Sequence, residues 1–346
     1  MSSTDFPIVD SHIHLYPEAE LETFKWYTPD NPLGKRHSLA EYRDATGSPS
    51  NLKGLVFLET DRLNDEGRDW KLPLMEVEWL ARIVDGKPRD GEGHTPEDAH
   101  LCLGIVPWAP MNLGAAKVEE YLEQAEKVAG PATWAKVKGF RYLLQDKPAA
   151  SGLTEEFVES MRLLGKKGFI FDAGVDQHRR GRQQLDELVS MIDQAHDGIA
   201  NEDDKVKFII NHFCKPNLEI INPADPSFIA WRAAMFTLGK CDRVYMKLSG
   251  MFSEMPESLR QRSVEEIFEA VQPWLAVVLA AFGPSRLMFA SDWPVCTVGV
   301  DEEDAGGAWK KWKAVIDRLC RLASLSEEDQ KMIWSGTAVK AYGIDI

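Results

Sequence analysis

Two histidines separated by a single residue, His12-Ile13-His14, close an apolar stretch that begins at Ile8 and runs through Asp10-Ser11. Alternate side chains of an extended strand share a face, so His12 and His14 point the same way. Two neutral imidazoles held side by side supply half of a tetrahedral Zn2+ shell. In Ile209-Ile210-Asn211-His212-Phe213-Cys214-Lys215-Pro216 an apolar run delivers a third imidazole, His212, at its end. Asp292 follows the apolar run Leu287–Ala290, in Ala290-Ser291-Asp292-Trp293-Pro294. Burying that carboxylate alone would be costly, and a metal, a cation or a catalytic proton would resolve the cost. Three histidines and one carboxylate make a mononuclear hydrolytic centre. Such a centre activates water against a carbonyl, and Asp292 would take the proton and pass it to the leaving oxygen.

Other charged residues close similar runs. Glu59 ends Val56-Phe57-Leu58-Glu59, where it is either a further metal ligand or a partner that fixes an imidazole tautomer. Arg141 ends Val137-Lys138-Gly139-Phe140-Arg141, Lys215 follows His212, and Lys247 sits in Val244-Tyr245-Met246-Lys247-Leu248-Ser249-Gly250. Arg141 and Lys215 are candidates to stabilise an oxyanion, the alternative being structural ion pairs. Lys247 points to the site or to a neighbouring carboxylate. Asp172, in Phe169–Gly174, either orients substrate hydroxyls or a ligand, or pairs with Arg141; His178 lies just beyond it. Trp26, Tyr27, Trp108, Tyr142 and Trp293 would offer a substrate an aromatic face or belong to the core.

These residues need a scaffold that gathers strand ends. Short apolar runs recur at Ile8–Leu15, Leu52–Glu59, Leu101–Trp108, Val137–Leu144, Gly168–Val175, Val206–Phe213, Val244–Met251 and Arg286–Trp293. Near-continuous apolar runs suit strands buried on both faces. Helical spacing fills the intervals at Leu74–Val84, Ala116–Val128, Glu155–Leu164, Gln184–His196, Phe228–Leu238 and Val264–Phe282. The pattern predicts an α/β fold: one (β/α)8 TIM barrel domain over residues 1–346. No GxGxxG follows any strand, which argues against a doubly wound nucleotide-binding sheet. Long connections, Tyr16–Asn51 and Thr60–His100, follow strands one and two and are expected to form a lid, with Pro88–Asp98 a mobile surface loop. Ser324 and Ser326 before Glu327 and Glu328 signal the N-cap of a final helix over Glu327–Ile346, and the acidic run Asp301–Asp304 reads as a solvated helix start.

A formal net charge of −15 over 346 residues excludes a nucleic-acid binder and disfavours docking on anionic membranes. The five cysteines show no CxxC spacing and suit a reducing compartment. With no basic and apolar leader at MSSTDFPIVD and no apolar run near ~20 residues, a cytoplasmic protein is expected. Oligomeric state is left open.

The segments IVDSHIHL, VKGFRYLL, NHFCKP, VYMKLSG and RLMFASDWPVC together resemble the amidohydrolase superfamily. More narrowly they resemble its sugar-lactone hydrolases, the rhamnonolactonase- and fuconolactonase-like branch. The long insertion after strand two is similar to fungal members. The resemblance implies hydrolysis of a sugar-acid lactone such as L-rhamnono-1,4-lactone, with one divalent metal, Zn2+. Strand four carries Arg141 near its end rather than the bridging lysine of binuclear members, and Asp172 stands in place of a strand-five histidine. The implied metal shell is His12, His14, His212, Asp292 and Glu59. Asp292, His212 and Arg141 would carry the chemistry, and Arg141, Lys215, Asp172, His178, Trp293 and Lys247 would bind the lactone. A zinc-dependent decarboxylase of an aromatic or unsaturated acid on the same barrel is the alternative.

Overall fold

A computed structural model of the chain describes residues 6–65, 69–220, 222–300 and 305–346. The N-terminal MSSTD and the acidic run Asp301–Asp304 lie outside the described residues. Eight strands follow in chain order: β1 (Ile8–Ile13), β2 (Leu52–Leu58), β3 (Cys102–Val106), β4 (Gly139–Arg141), β5 (Ile170–Ala173), β6 (Lys207–Ile210), β7 (Val244–Leu248) and β8 (Leu287–Phe289). They pair in parallel as β1-β2-β3 and β4-β5-β6-β7-β8. Parallel bridges Ile105↔Val137 and Trp108↔Arg141 join β3 to β4. At the other seam, Ile13 bridges Trp293, Asp292 N–H donates to the His12 carbonyl (3.0 Å) and His14 N–H donates to the Trp293 carbonyl (2.8 Å). The ring is therefore closed: a TIM barrel.

Each expected helix is present, at Lys71–Val84, Ala115–Trp134, Glu155–Lys166, Gln183–His196, Pro226–Leu238 and Val264–Phe282. Their apolar stripes bury residues such as Trp79, Tyr121, Phe157, Leu188, Trp231 and Trp274 against the outward faces of the strands. Two further long helices lie after β1, at Leu39–Thr46, and after β8, at Ala305–Leu322. The final segment is broken into Glu327–Lys331, a π turn at Met332–Gly336 and Thr337–Tyr342, with the Ser326 hydroxyl accepting from Asp329 N–H.

The inward faces stack in layers. Val9, Val56, Val106, Ile170, Ile209, Tyr245 and Met288 form an apolar floor, and Ala338, Ala341, Tyr342 and Ile344 of the last helix and its exit pack into it. In β1 the four residues Asp10–Ile13 stand opposite the three residues Leu55–Phe57 of β2. This bulge resets the alternation, so Val9 points into the floor while His12 and His14 both point into the mouth.

Pro88–Asp98 is tied down rather than loose. Glu92 pairs with Arg82 (2.5 Å), Asp98 with Arg43, and Arg36 donates to the Gly91 carbonyl (3.2 Å). The connections after β1 and β2 are stitched to each other above the mouth. Phe24 bridges Arg62, Lys25 N–H donates to Asp61 (3.0 Å), and Leu63 N–H donates to Thr23 (2.7 Å). The buried Arg62 guanidinium reaches Glu20 (2.6 Å), Thr23 Oγ1 (2.8 Å) and Glu76 (3.4 Å). Removing one partner of a buried ion pair costs about 3–5 kcal/mol, because the remaining charges stay buried. Arg62→Ala should therefore lower the unfolding free energy, measured by chemical denaturation, by an amount in that range, whereas Arg89→Ala, whose side chain is 65% exposed beside Glu78, should leave it unchanged.

Candidate active site

His12 and His14 leave β1 side by side, with Nε2 atoms 3.1 Å apart. Asp292 Oδ1 lies 3.4 Å from His12 Nε2, 3.8 Å from His14 Nε2 and 3.6 Å from His212 Nε2. Residues from opposite ends of the chain thus meet at one point. All four side chains turn their other nitrogen, or their backbone, to a fixed partner. His14 Nδ1 faces the Leu58 carbonyl (3.0 Å), His212 Nδ1 faces Ser249 Oγ (2.8 Å), and His12 Nδ1 faces Asn211 Oδ1 (3.2 Å) and Lys247 Nζ (3.1 Å).

Local backbone geometry aims the later two residues. His212, Phe213, Cys214 and Lys215 all take left-handed φ values, of 53, 56, 61 and 51°. Such a run of non-glycine residues costs roughly 1–2 kcal/mol per residue. It is held by Cys214 N–H to Asn211 O (2.9 Å), Lys215 N–H to His212 O (2.7 Å) and the Trp231 indole to Phe213 O (2.8 Å). Asp292 also has positive φ, 63°, and its neighbour Ser291 N–H is pinned by the buried Asp10 carboxylate (2.8 Å). Tyr42 and Trp309 both donate to the other Asp10 oxygen (2.9 Å), which fixes that carboxylate from two helices, one of them unread in the sequence and the other signalled there only by its acidic start.

Burial lowers His12 and His212 far below the usual imidazole range and takes His14 down to about 3, so all three are neutral and able to ligate. Burial likewise pushes Asp292 up to about 7, against the pull of Lys215 and Arg141. His12, His212 and Asp292 offer ligand atoms within 4.8 Å of one another. Tetrahedral bonds of ~2.0–2.1 Å put neighbouring ligand atoms about 3.3 Å apart; the His12–His14 pair (3.1 Å) and the Asp292 contacts (3.4–3.8 Å) are near that spacing, while His14 stands outside the group of three. The donor set fits a single divalent ion.

A cavity of about 240 Å³ opens over this cluster. His14, His212 and Asp292 form its base; Glu59, Arg141 and Lys215 stand on its wall; Tyr16, Trp26, Leu33, Thr60 and Asp61 of the two long connections roof it. Arg141 pairs with Glu59 (3.3 Å), not with Asp172. Glu59 also accepts from Asp61 N–H (2.6 Å), and burial raises its carboxyl despite Arg141. Its carboxylate bonds to none of the three imidazoles among the described residues, although its backbone lies against His14. Lys215 has no side-chain partner among the described residues and faces open space.

Four residues expected at the substrate lie elsewhere. Asp172 and Lys247 are fully buried one layer below His12 and pair with each other at 2.6 Å. Trp293 is buried behind the site against His37 and Tyr42. His178 faces Glu254 (3.7 Å) in a separate cleft with Gln177, Arg182 and Asn217. Of the aromatics, Trp26 reaches the cavity, while Trp108 and Tyr142 are core. The sequence reading missed Asn211, Ser249 and Gly250, although they flank His212 and Lys247 in the quoted motifs. Gly250 has φ 68°, and a Cβ there would meet the His212 ring at 2.4 Å. Gly250→Ala should push His212 off its position and weaken divalent-metal uptake by about 10–100-fold, measured by equilibrium dialysis, with far-UV circular dichroism unchanged.

Comparison with known proteins agrees with this geometry. Residues 9–344 match the amidohydrolase family profile. An L-rhamnono-gamma-lactonase of Scheffersomyces stipitis is 34% identical over 349 aligned residues, covering 98% of this chain and 99% of that protein. An L-fucono-1,5-lactonase of Burkholderia multivorans is 27% identical over 79% of this chain and 84% of its own. A crystal structure of a Burkholderia multivorans amidohydrolase with bound zinc superposes with a TM-score of 0.72 at 22% identity, covering 98% of this chain and all of that one, and so shares the fold. The chain belongs to the amidohydrolase family.

Proposed function

We propose that this protein is a lactonase that hydrolyses a sugar-acid lactone, L-rhamnono-1,4-lactone in the first instance, to the open aldonic acid. The observation that carries the reading is the convergence of three neutral imidazoles and Asp292 at the base of a small cavity whose wall holds Arg141 and Lys215. At about 240 Å³ the cavity lies below the ~300–1,000 Å³ of drug-sized pockets and suits a single sugar ring. The named lactonases similar to this chain support the same class of substrate. The reading covers residues 1–346 as one catalytic domain. The five cysteines, all free, suit a reducing cytoplasm, and no helix among the described residues is long and apolar enough to cross a membrane.

His12, His14, His212 and Asp292 would hold one divalent ion, Zn2+ in our reading. When bound, that ion supplies Lewis-acid polarisation of the lactone carbonyl and acidifies water. Asp292 faces all three imidazoles, its Oδ1 3.4–3.8 Å from their Nε2 atoms, and its carboxylate also offers a second oxygen. That oxygen accepts the proton of the attacking water and returns it to the ring oxygen as the C–O bond breaks. Arg141, held by Glu59, and the unpartnered Lys215 stabilise the negative charge that develops on the carbonyl oxygen. Trp26 and Tyr16 offer the sugar ring an apolar face.

Purified protein should open aldonolactones with release of one proton per turnover, followed with a pH indicator, and lose activity on chelation until one ion restores it. Proton uptake with evolution of CO2 from an aromatic acid would instead make it a decarboxylase. Asp292→Asn should cut turnover by orders of magnitude while the protein stays folded, and near-normal activity would remove it as the base. Arg141→Met should lower kcat by about 10²–10³, the usual cost of one oxyanion donor.

A further inference from the structure

Beneath the cavity lies a polar layer to which the reaction assigns no role. Asp172 accepts from Lys247 Nζ (2.6 Å), Asn211 Nδ2 (2.7 Å) and the Tyr342 hydroxyl (3.2 Å). Lys247 and Asn211 both then turn to the same atom, His12 Nδ1, at 3.1 and 3.2 Å. The two make opposite demands on it. An ammonium only donates, so a bond from Lys247 requires Nδ1 to accept and places the ring proton on Nε2. The Asn211 amide already donates to Asp172, which leaves its oxygen facing His12, and that oxygen requires Nδ1 to donate.

Each demand completes a different proton arrangement. With the proton on Nε2, a chain runs from Lys247 to His12, from His12 Nε2–H to the bare His14 Nε2 at 3.1 Å, and from His14 Nδ1–H to the Leu58 carbonyl. Every ring N–H in it is used, but His12 has no lone pair for a metal. With the proton on Nδ1, His12 donates to Asn211, and two bare Nε2 lone pairs face each other at 3.1 Å, an arrangement a cation between them relieves. The Lys247 charge, buried on the far side of the same ring, also repels a dication.

We infer that Lys247 and Asn211 are opposed positioning residues that set the metal affinity of the centre through the tautomer of His12, Lys247 weakening it and Asn211 strengthening it. The inference rests on the metal reading of the site. Partners of a ligating imidazole typically change affinity by 10–100-fold.

The test measures Zn2+ affinity of the full chain by competition with a chromophoric chelator, and the visible spectrum of the Co2+ form. Lys247→Met should tighten Zn2+ binding by at least about tenfold, and Asn211→Ala should loosen it by a similar factor. Should Lys247→Met fold poorly with Asp172 left uncompensated, the double variant Asp172→Asn/Lys247→Met keeps the layer neutral and should also bind more tightly. Equal or weaker binding in a folded Lys247 variant overturns the proposal while leaving the lactonase reading intact. Absence of binding in the wild type and in every Lys247 variant sinks this proposal and the metal reading together. Uptake only when Lys247 is replaced supports it most directly.

Discussion

The buried Asp172–Lys247 ion pair is the constraint on which the site's arrangement depends. Two charges at the centre of a barrel are tolerable only when each is matched and hydrogen-bonded. Asp172 is matched by donors from β7, from the end of β6 and from the last helix; Lys247 turns a second donor to His12 from β1. One carboxylate thereby ties together four segments that are far apart in sequence. Above it the imidazoles take fixed orientations, and below it the interior is apolar. The boundary between scaffold and chemistry runs through this layer.

The same division explains the strain above it. Four consecutive left-handed residues after β6 and the left-handed Asp292 after β8 would not persist on a pliable support. Each is braced by backbone bonds to neighbouring loops and by large aromatics, Trp231 under Phe213, and Trp309 with Tyr42 on the Asp10 that pins Ser291. The outer helices therefore do more than cover the sheet. Three of them reach through it with indole or phenol donors to fix the strand ends.

Much of this was readable from the residues in order. Eight apolar runs separated by helical spacing give the barrel, because strands covered on both faces leave no room for alternation. His12, His14, His212 and Asp292 were visible because each is a polar residue delivered at the end of an apolar run. What stayed hidden depends on pairing across the barrel. Lys247 could point up to a substrate or sideways to a carboxylate, and nothing along its strand distinguishes the two; its partner lies 75 positions away. Trp293 and His178 sit one residue past a ligand and beyond a strand end, where a left-handed turn or a loop redirects the chain. The helix Leu39–Thr46 had a readable start, since Ser38 and Glu41 form a reciprocal cap. The bulge between Asp10 and Ile13 has no residue signature, yet it decides which face His12 takes.

The floor of the barrel is completed by Ala338, Ala341, Tyr342 and Ile344, more than 320 positions downstream of the first imidazole. On a ribosome, the strands emerge with their inner faces bare at the bottom and Asp172 short of one donor. The interior cannot reach its final form until translation has passed Ile344. A nascent barrel therefore keeps its inner floor unfilled until these last turns dock.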